Sequence, residues 1–235
     1  MAALDYNNKN GILFIVSTPI GNYFDITIRA VDTLKNTEII VCEEIKEYNK
    51  LAKFLNINKE PILLNEHNEL SATDEIVKLL LEGNNVSLIS DSGTPAFSDP
   101  GRYLINKCID YNIKVEFIAG ANSVLAALVM CGFDISRFYF LGFLSPKTNI
   151  RRKELMELSK LDRAIILMDT PYRLLTLLSD LKTAIPTRRI FIGLNLTQKN
   201  EKGYRGTAEE IIKQLVNEFG EKKIKGEFIL IIDKP

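Results

Sequence analysis

The chain has 235 residues, 46% of them hydrophobic and 26% charged, which is an ordinary composition for a folded protein with room for a sizeable core. Its 30 basic and 30 acidic side chains cancel. That removes the simplest global argument for a nucleic-acid partner, although a local basic patch can still be built. Cys42, Cys108 and Cys131 are widely spaced with no CxxC pair, so neither a metal site nor a disulfide is expected. The N-terminal stretch MAALDYNNKNG has no apolar signal core, and no apolar run reaches the length of a membrane helix. The expected location is the cytosol, without membrane partners.

The first half alternates strand-like and helix-like segments. ILFIVS (residues 12–17) is a short apolar run suited to a buried strand. A Pro/Gly turn follows, then the helical stretch ITIRAVDTLKN, for which Asp25 is placed as the cap. EIIVC (38–42) reads as a second strand, with helical EEIKEYNKLAKFL starting at residue 43. PILLN (61–65) is a third strand. ATDEIVKLLLEG is an amphipathic helix closed by Gly83. VSLIS (86–90) is a fourth strand, GRYLINKCIDYN a helix and KVEFIAG a fifth strand. Such alternation implies parallel pairing through right-handed crossovers.

The helix ANSVLAALVMCG leads into a second half. There FYFLGF, AIILMD, RIFIGL and GEFILIID read as strands, and RKELMEL, YRLLTLLSDL and AEEIIKQLVNEF as helices. The polar, turn-rich stretch at residues 195–207 reads as loop. The fold class is therefore α/β, with one domain over residues 11–120 and another over 121–235.

In an open parallel sheet, ligands bind outside the carboxyl ends of the strands. Here those ends carry STPIGN (17–22), Glu43-Glu44, DSGTPAFSDPG (91–101) and AGANS (119–123). The loop at 91–101 concentrates two prolines, two glycines and two aspartates. It can present fixed backbone groups to a small polar ligand, or it can be a simple connection before the next helix. There is no G-x-G-x-x-G after the first strand, no P-loop and no G-x-S-x-G elbow, so dinucleotide, P-loop and hydrolase readings drop. The single histidine, His67, is either a base or a structural or interface residue, and a zinc site is not expected.

Taken in order, VSTPIGNYFDITIRAVDTLK, CEEIKEYNKLAKFL, NEHNE, SLISDSGTPAFSDPG, AGANSVLAAL, FYFLGFLSPK, DTPYRLLTLLSDL and KGEFILII resemble the tetrapyrrole methylase superfamily, the class III S-adenosylmethionine-dependent methyltransferases. Within it they are most similar to the ribosomal RNA small-subunit methyltransferase I family, whose members 2′-O-methylate a cytidine of 16S ribosomal RNA. The resemblance implies two α/β domains with S-adenosylmethionine in a cleft between them, and a homodimer acting on ribosomal RNA or the small ribosomal subunit. It implies that Pro19 and Gly21 shape the first loop near the cofactor. Asp91, Gly93, Thr94 and Pro95 would line its methionine and ribose end, and Ala121, Asn122 and Ser123 would contact it from the linker. Met168, Asp169 and Leu194 would surround the adenine, with Gly226 close by.

Departures from the family pattern fall mostly on charged positions. Where the family reads roughly A-E-D-T-R, this chain has C-E-E-I-K at 42–46, and Lys46 lacks the bidentate fork of arginine. R-E-L-T-K becomes L-N-L-T-Q at 194–198, Y-E-S-P-H-R becomes M-D-T-P-Y-R at 168–173, and P-G becomes A-G at 119–120. The sequence stops at Pro235, without the short helical extension of many members. These changes leave the cofactor half of the resemblance better kept than the RNA half. The alternatives are a small-molecule or tetrapyrrole acceptor, or a non-catalytic interaction protein.

Methyl transfer to a ribose hydroxyl is helped by a base or a cation near the oxygen. Glu43 and Glu44 are the candidate bases, with Lys46 as their electrostatic partner. The same carboxylates could instead favour the positive end of the helix that follows. Arg151, Arg152 and Lys153 form the best local basic cluster for a phosphate backbone, or else a solvated helix start.

Overall fold

The computed structural model describes residues 10–220 and 224–235. The reading of the first residues as free of a signal core falls on positions 1–9, outside the described residues. The chain forms two compact units, one up to Asn122 and one from Ser123 onward.

In the first unit, β1 (Ile12–Val16), β2 (Ile39–Cys42), β3 (Ile62–Leu63), β4 (Val86–Leu88) and β5 (Lys114–Ile118) form one sheet in the order β3-β2-β4-β1-β5. Every pair is parallel. The pleat sends alternate side chains of β1 to opposite faces. Leu13 and Ile15 join a core with Ile76, Leu80 and Leu104 from α3 (Glu69–Leu81) and α4 (Arg102–Asp110). Val16 joins a second core with Leu34 and Leu51 from α1 (Ile28–Asn36) and α2 (Ile45–Leu55). A sheet covered on both faces needs continuous apolar strands, which is what ILFIV and IIVC supply.

The strand order also locates a switch point. From β1 the chain crosses over β4 to reach β2, whereas from β4 it crosses over β1 to reach β5. The two neighbouring strands thus send their loops in opposite directions, which opens a crevice at their carboxyl ends.

In the second unit, β6 (Phe138–Phe143), β7 (Ala164–Asp169), β8 (Ile190–Leu194), β9 (Lys202–Gly206) and β10 (Phe228–Ile232) form a mixed sheet in the order β6-β7-β10-β8-β9. Only β6 and β7 are parallel; β10 runs antiparallel between β7 and β8. α6 (Thr148–Leu158), α7 (Leu174–Ala184) and α8 (Ala208–Phe219) supply Leu155, Leu178 and Ile211 to one core. α5 (Ser123–Cys131) packs on β8 and β10.

Four local expectations are corrected. Asp25 does not cap α1. It lies in a one-turn 3₁₀ helix, and Thr27 caps α1 by accepting a bond from the Ala30 N–H at 3.1 Å. The helix expected from residue 43 begins at Ile45, with Glu44 as its N-cap residue. The stretch 195–207 is not all loop, because KGYRG forms the edge strand β9 against β8. Arg151 is not a phosphate-facing cation. It is 3% exposed, and its guanidinium binds the buried Asp180 carboxylate at 2.7–2.8 Å. Arg152 takes the other Asp180 oxygen at 2.8 Å.

All three cysteines are free and buried, and burial pushes the Cys42 and Cys108 thiols up to about 12, so they pack as small apolar groups. Among the described residues no helix is long and apolar enough to cross a membrane, and no group of acidic, histidine or cysteine side chains could hold a metal ion.

Candidate functional site

In the first unit, the loops after β1 and β4 are bonded into one piece. The Thr18 N–H donates to the Gly93 carbonyl at 2.7 Å, and the Thr18 hydroxyl reaches the Ser90 and Gly93 carbonyls at 3.2 and 3.3 Å. Ser17 and Thr94 pair their hydroxyls at 3.1 Å, and the Thr94 hydroxyl also approaches the Ala121 carbonyl at 3.5 Å. Gly93 holds φ 84°, a left-handed conformation that suits glycine. Gly120 has no room for a side chain, since a Cβ would stand 2.8 Å from that of Ser17.

These bonds bring together the expected residues Pro19, Gly93, Thr94, Pro95 and Ala121, with Pro19, Gly93 and Pro95 buried. Gly21 stands exposed farther along the first loop, and Asn122 is half-buried. Thr18, Pro19, Tyr23, Glu47, Ser90 and Asp91 line a small pocket beside them.

A row of carboxylates borders this crevice. Asp91 accepts the Glu44 backbone N–H at 3.1 Å, which ties the end of β4 to the start of α2. Glu43, directly after β2, is pushed up to about 7, first by burial and then by the charges of Asp99, Asp91, Glu44 and Glu66. Burial also raises Asp91 and Asp99 above the usual carboxylate range. Neither acidic residue at the start of α2 caps it through a side-chain hydrogen bond; Glu44 and Lys46 are exposed and Glu43 is half-buried. His67 is exposed, with Nε2 3.6 Å from Glu66.

In the second unit the expected residues converge through strand register. Phe228 opens β10 opposite both Asp169, the last residue of β7, and Leu194, the last of β8. Met168, Asp169, Leu194 and Gly226 therefore share one end of this sheet. Asp169 is buried and faces Arg173 at 3.2 Å, while the Arg173 guanidinium donates to the Leu144 and Ser145 carbonyls. Ser123 starts α5 in the same unit.

Sequence reading missed Thr18 and Asp99. Both lay within quoted motifs, but nothing in their spacing shows their bonding or burial. A groove of about 540 Å³ opens at the other end of the second sheet, lined by Pro186, Thr187, Arg188, Arg189 and Asp233. It lies away from these residues, and the Arg188 side chain there is occupied by the Asp233, Leu161 and Arg163 carbonyls.

A family model for tetrapyrrole (corrin/porphyrin) methylases matches residues 13–212. A protein of Mycoplasmopsis pulmonis named ribosomal RNA small subunit methyltransferase I is 42% identical over 93% of this chain and 96% of its own length. Proteins of the same name are 40% identical in Synechocystis, over 94% of this chain and 78% of theirs, and 37% identical in Thermotoga maritima, over 94% and 98%. Among solved structures, a diphthine synthase superposes with TM-score 0.74 at 13% identity, over 95% of this chain and 89% of that one. A cobalt precorrin-4 methyltransferase superposes with TM-score 0.66 at 13% identity, over 99% and 98%. Those two likenesses show the two-unit α/β fold. With a family model over most of its length and several relatives above one-third identity, this chain belongs to the tetrapyrrole methylase family.

Proposed function

We propose that this chain is an S-adenosylmethionine-dependent methyltransferase that 2′-O-methylates a cytidine ribose of 16S ribosomal RNA in the small subunit. The observation that carries the mechanism is the half-buried Glu43 at the mouth of the β1–β4 crevice, with its carboxyl held near neutrality. A base is most effective when its pKa lies near the working pH. The relatives' shared name supports ribosomal RNA as the acceptor.

The donor supplies an electrophilic methyl on a positively charged sulfur. The residues present suit it. Carboxylates at 43, 91 and 99 complement a cationic methionine end, and the bonds of Thr18 to Gly93 and Ser90 fix the two loops that would border it. We assign Pro19, Gly21, Asp91, Gly93, Thr94, Pro95, Ala121, Asn122 and Ser123 to that end, and Met168, Asp169, Leu194 and Gly226 to the adenine. Glu43 would accept the proton of the ribose 2′-hydroxyl, and the donor, when bound, would supply the methyl group to that oxygen. Glu44 and Lys46 flank that proton transfer. Holding the three reacting centres in line lowers the barrier further.

The same reading includes a homodimer. Exposed Val129 on α5, and Phe138, Tyr139 and Phe143 on the edge strand β6, are apolar area that pairing would bury. Tritiated methyl transfer to small subunits lacking the modification, with the nucleotide mapped, tests the proposal. Label on one cytidine ribose is expected. Label on a base, or none with active donor-binding protein, overturns it.

A further inference from the structure

Three aromatic rings meet on the surface of the first unit. Tyr23 and Phe24 sit in the one-turn 3₁₀ helix Tyr23–Asp25, directly after the first loop, and Phe54 sits on the last turn of α2. The Tyr23 and Phe54 ring centres lie 5.1 Å apart, and Phe24 meets Phe54 nearly at right angles at 5.4 Å. Rings paired in this way usually help to fill a core. Here they face solvent. Phe24 is 83% exposed, Tyr23 and Phe54 are exposed beside it, and so is Ile28 at the start of α1. Apolar area grouped in one exposed place marks a surface that takes an occupant.

The turn that carries two of the rings is pinned at both ends. The Asn22 carboxamide oxygen accepts the Phe24 N–H at 3.1 Å, and the Thr27 hydroxyl donates to the Ala119 carbonyl at 3.3 Å, which ties the turn to the loop after β5. The rings are also continuous with the candidate site, because Tyr23 lines the small pocket together with Thr18, Ser90 and Asp91. Positive charge runs beside them. Lys46, Lys50 and Lys53 recur at helical spacing along the exposed side of α2, and Phe54 stands one turn beyond Lys50. Lys50 is braced by Glu47 at 2.6 Å.

We infer that Tyr23, Phe24 and Phe54 form a stacking platform for an unpaired RNA base neighbouring the nucleotide that enters the crevice, with Lys50 and Lys53 on its phosphates. This deepens the ribosomal RNA reading above and rests on it. Aromatic side chains bind splayed-out bases of single strands, and lysines beside them follow the backbone. A base inside a duplex is already stacked on both sides, so the occupant is a single-stranded segment. A second copy of the chain is the competing occupant. Lysine is depleted at the cores of protein–protein interfaces, whereas here it flanks the rings, which favours RNA.

Filter binding and methyl-transfer kinetics on unmodified small subunits, with the full chain, test this. Phe24→Leu keeps an apolar side chain and removes the ring face. It is expected to weaken subunit binding and raise KM about tenfold, with the loss falling on KM rather than kcat. Phe24→Trp keeps a ring face and is expected to bind like wild type. Phe24→Leu with wild-type binding and KM overturns the proposal, and so does a loss confined to kcat. A variant that binds subunits like wild type but sediments as a smaller species also overturns it, because the rings would then join two copies of the chain. Wild type that binds no subunits removes the ribosomal RNA reading and the platform together. Wild type that binds them but labels no ribose removes the methyl-transfer reading alone, and the binding comparison still decides the platform.

Discussion

Replacing Glu43 with glutamine separates the proposed base from a merely acidic surface. In the folded chain the Glu43 carboxyl titrates near 7, against an ordinary value of 4.5, because burial and neighbouring carboxylates disfavour its charge. A raised folded-state value means that ionisation costs stability. The cost is absent below the unfolded value, grows as pH rises from about 4.5 to 7, and is complete above 7. At about 1.4 kcal/mol per pH unit the gap has an upper bound of roughly 3.4 kcal/mol. The carboxyl is only half-buried, and solvent screening reduces this to about 1–2 kcal/mol. Glu43→Gln should therefore match wild type at pH 4 and unfold about 2–8 °C higher at pH 8. Over the same range the wild-type kcat should climb with a midpoint near 7, while the variant loses about 10²–10⁴-fold and its pH dependence. Paired thermal melts and methyl-transfer rates from pH 4 to 9 measure both. A variant with wild-type kcat, or one with no stability gain at pH 8, refutes the reasoning.

Two further substitutions probe the frame of the second unit. Asp180→Leu leaves the buried Arg151 guanidinium with the Ser145 and Pro146 carbonyls and the Thr148 hydroxyl but no counter-charge, and urea unfolding should register a loss of about 3–5 kcal/mol. Adding Arg151→Leu should recover much of that loss, which a double-mutant cycle reads directly. Thr207→Ala removes the N-terminal capping box of α8, formed between Thr207 and Glu210, and should cost about 1 kcal/mol with kcat unchanged.

Apolar runs and turn residues carried most of the architecture in the sequence. ILFIV, IIVC and AIILMD are apolar enough to declare themselves buried strands, and the loops at their ends follow from them. KGYRG escaped for the opposite reason. As an edge strand it keeps two glycines and charged side chains, and only Tyr204 is buried. Arg151 looked like a surface cation because spacing cannot show that Asp180, 29 positions on, turns inward to meet it. The glutamates after β2 were legible as chemistry, whereas the near-neutral titration of Glu43 depends first on burial and then on Asp99 and Asp91, and only folding supplies these.

The bonds from Thr18 to Gly93 and Ser90 have a consequence for loop exchange. The segments after β1 and β4 are 72–75 positions apart in sequence yet are joined by these bonds. Grafting the first from a relative with a different second segment breaks a shared scaffold, so its penalty should exceed the sum of its single substitutions. Chimaeras that transplant both segments together should keep these bonds, so the pair is the smallest unit that can be exchanged between relatives without breaking them.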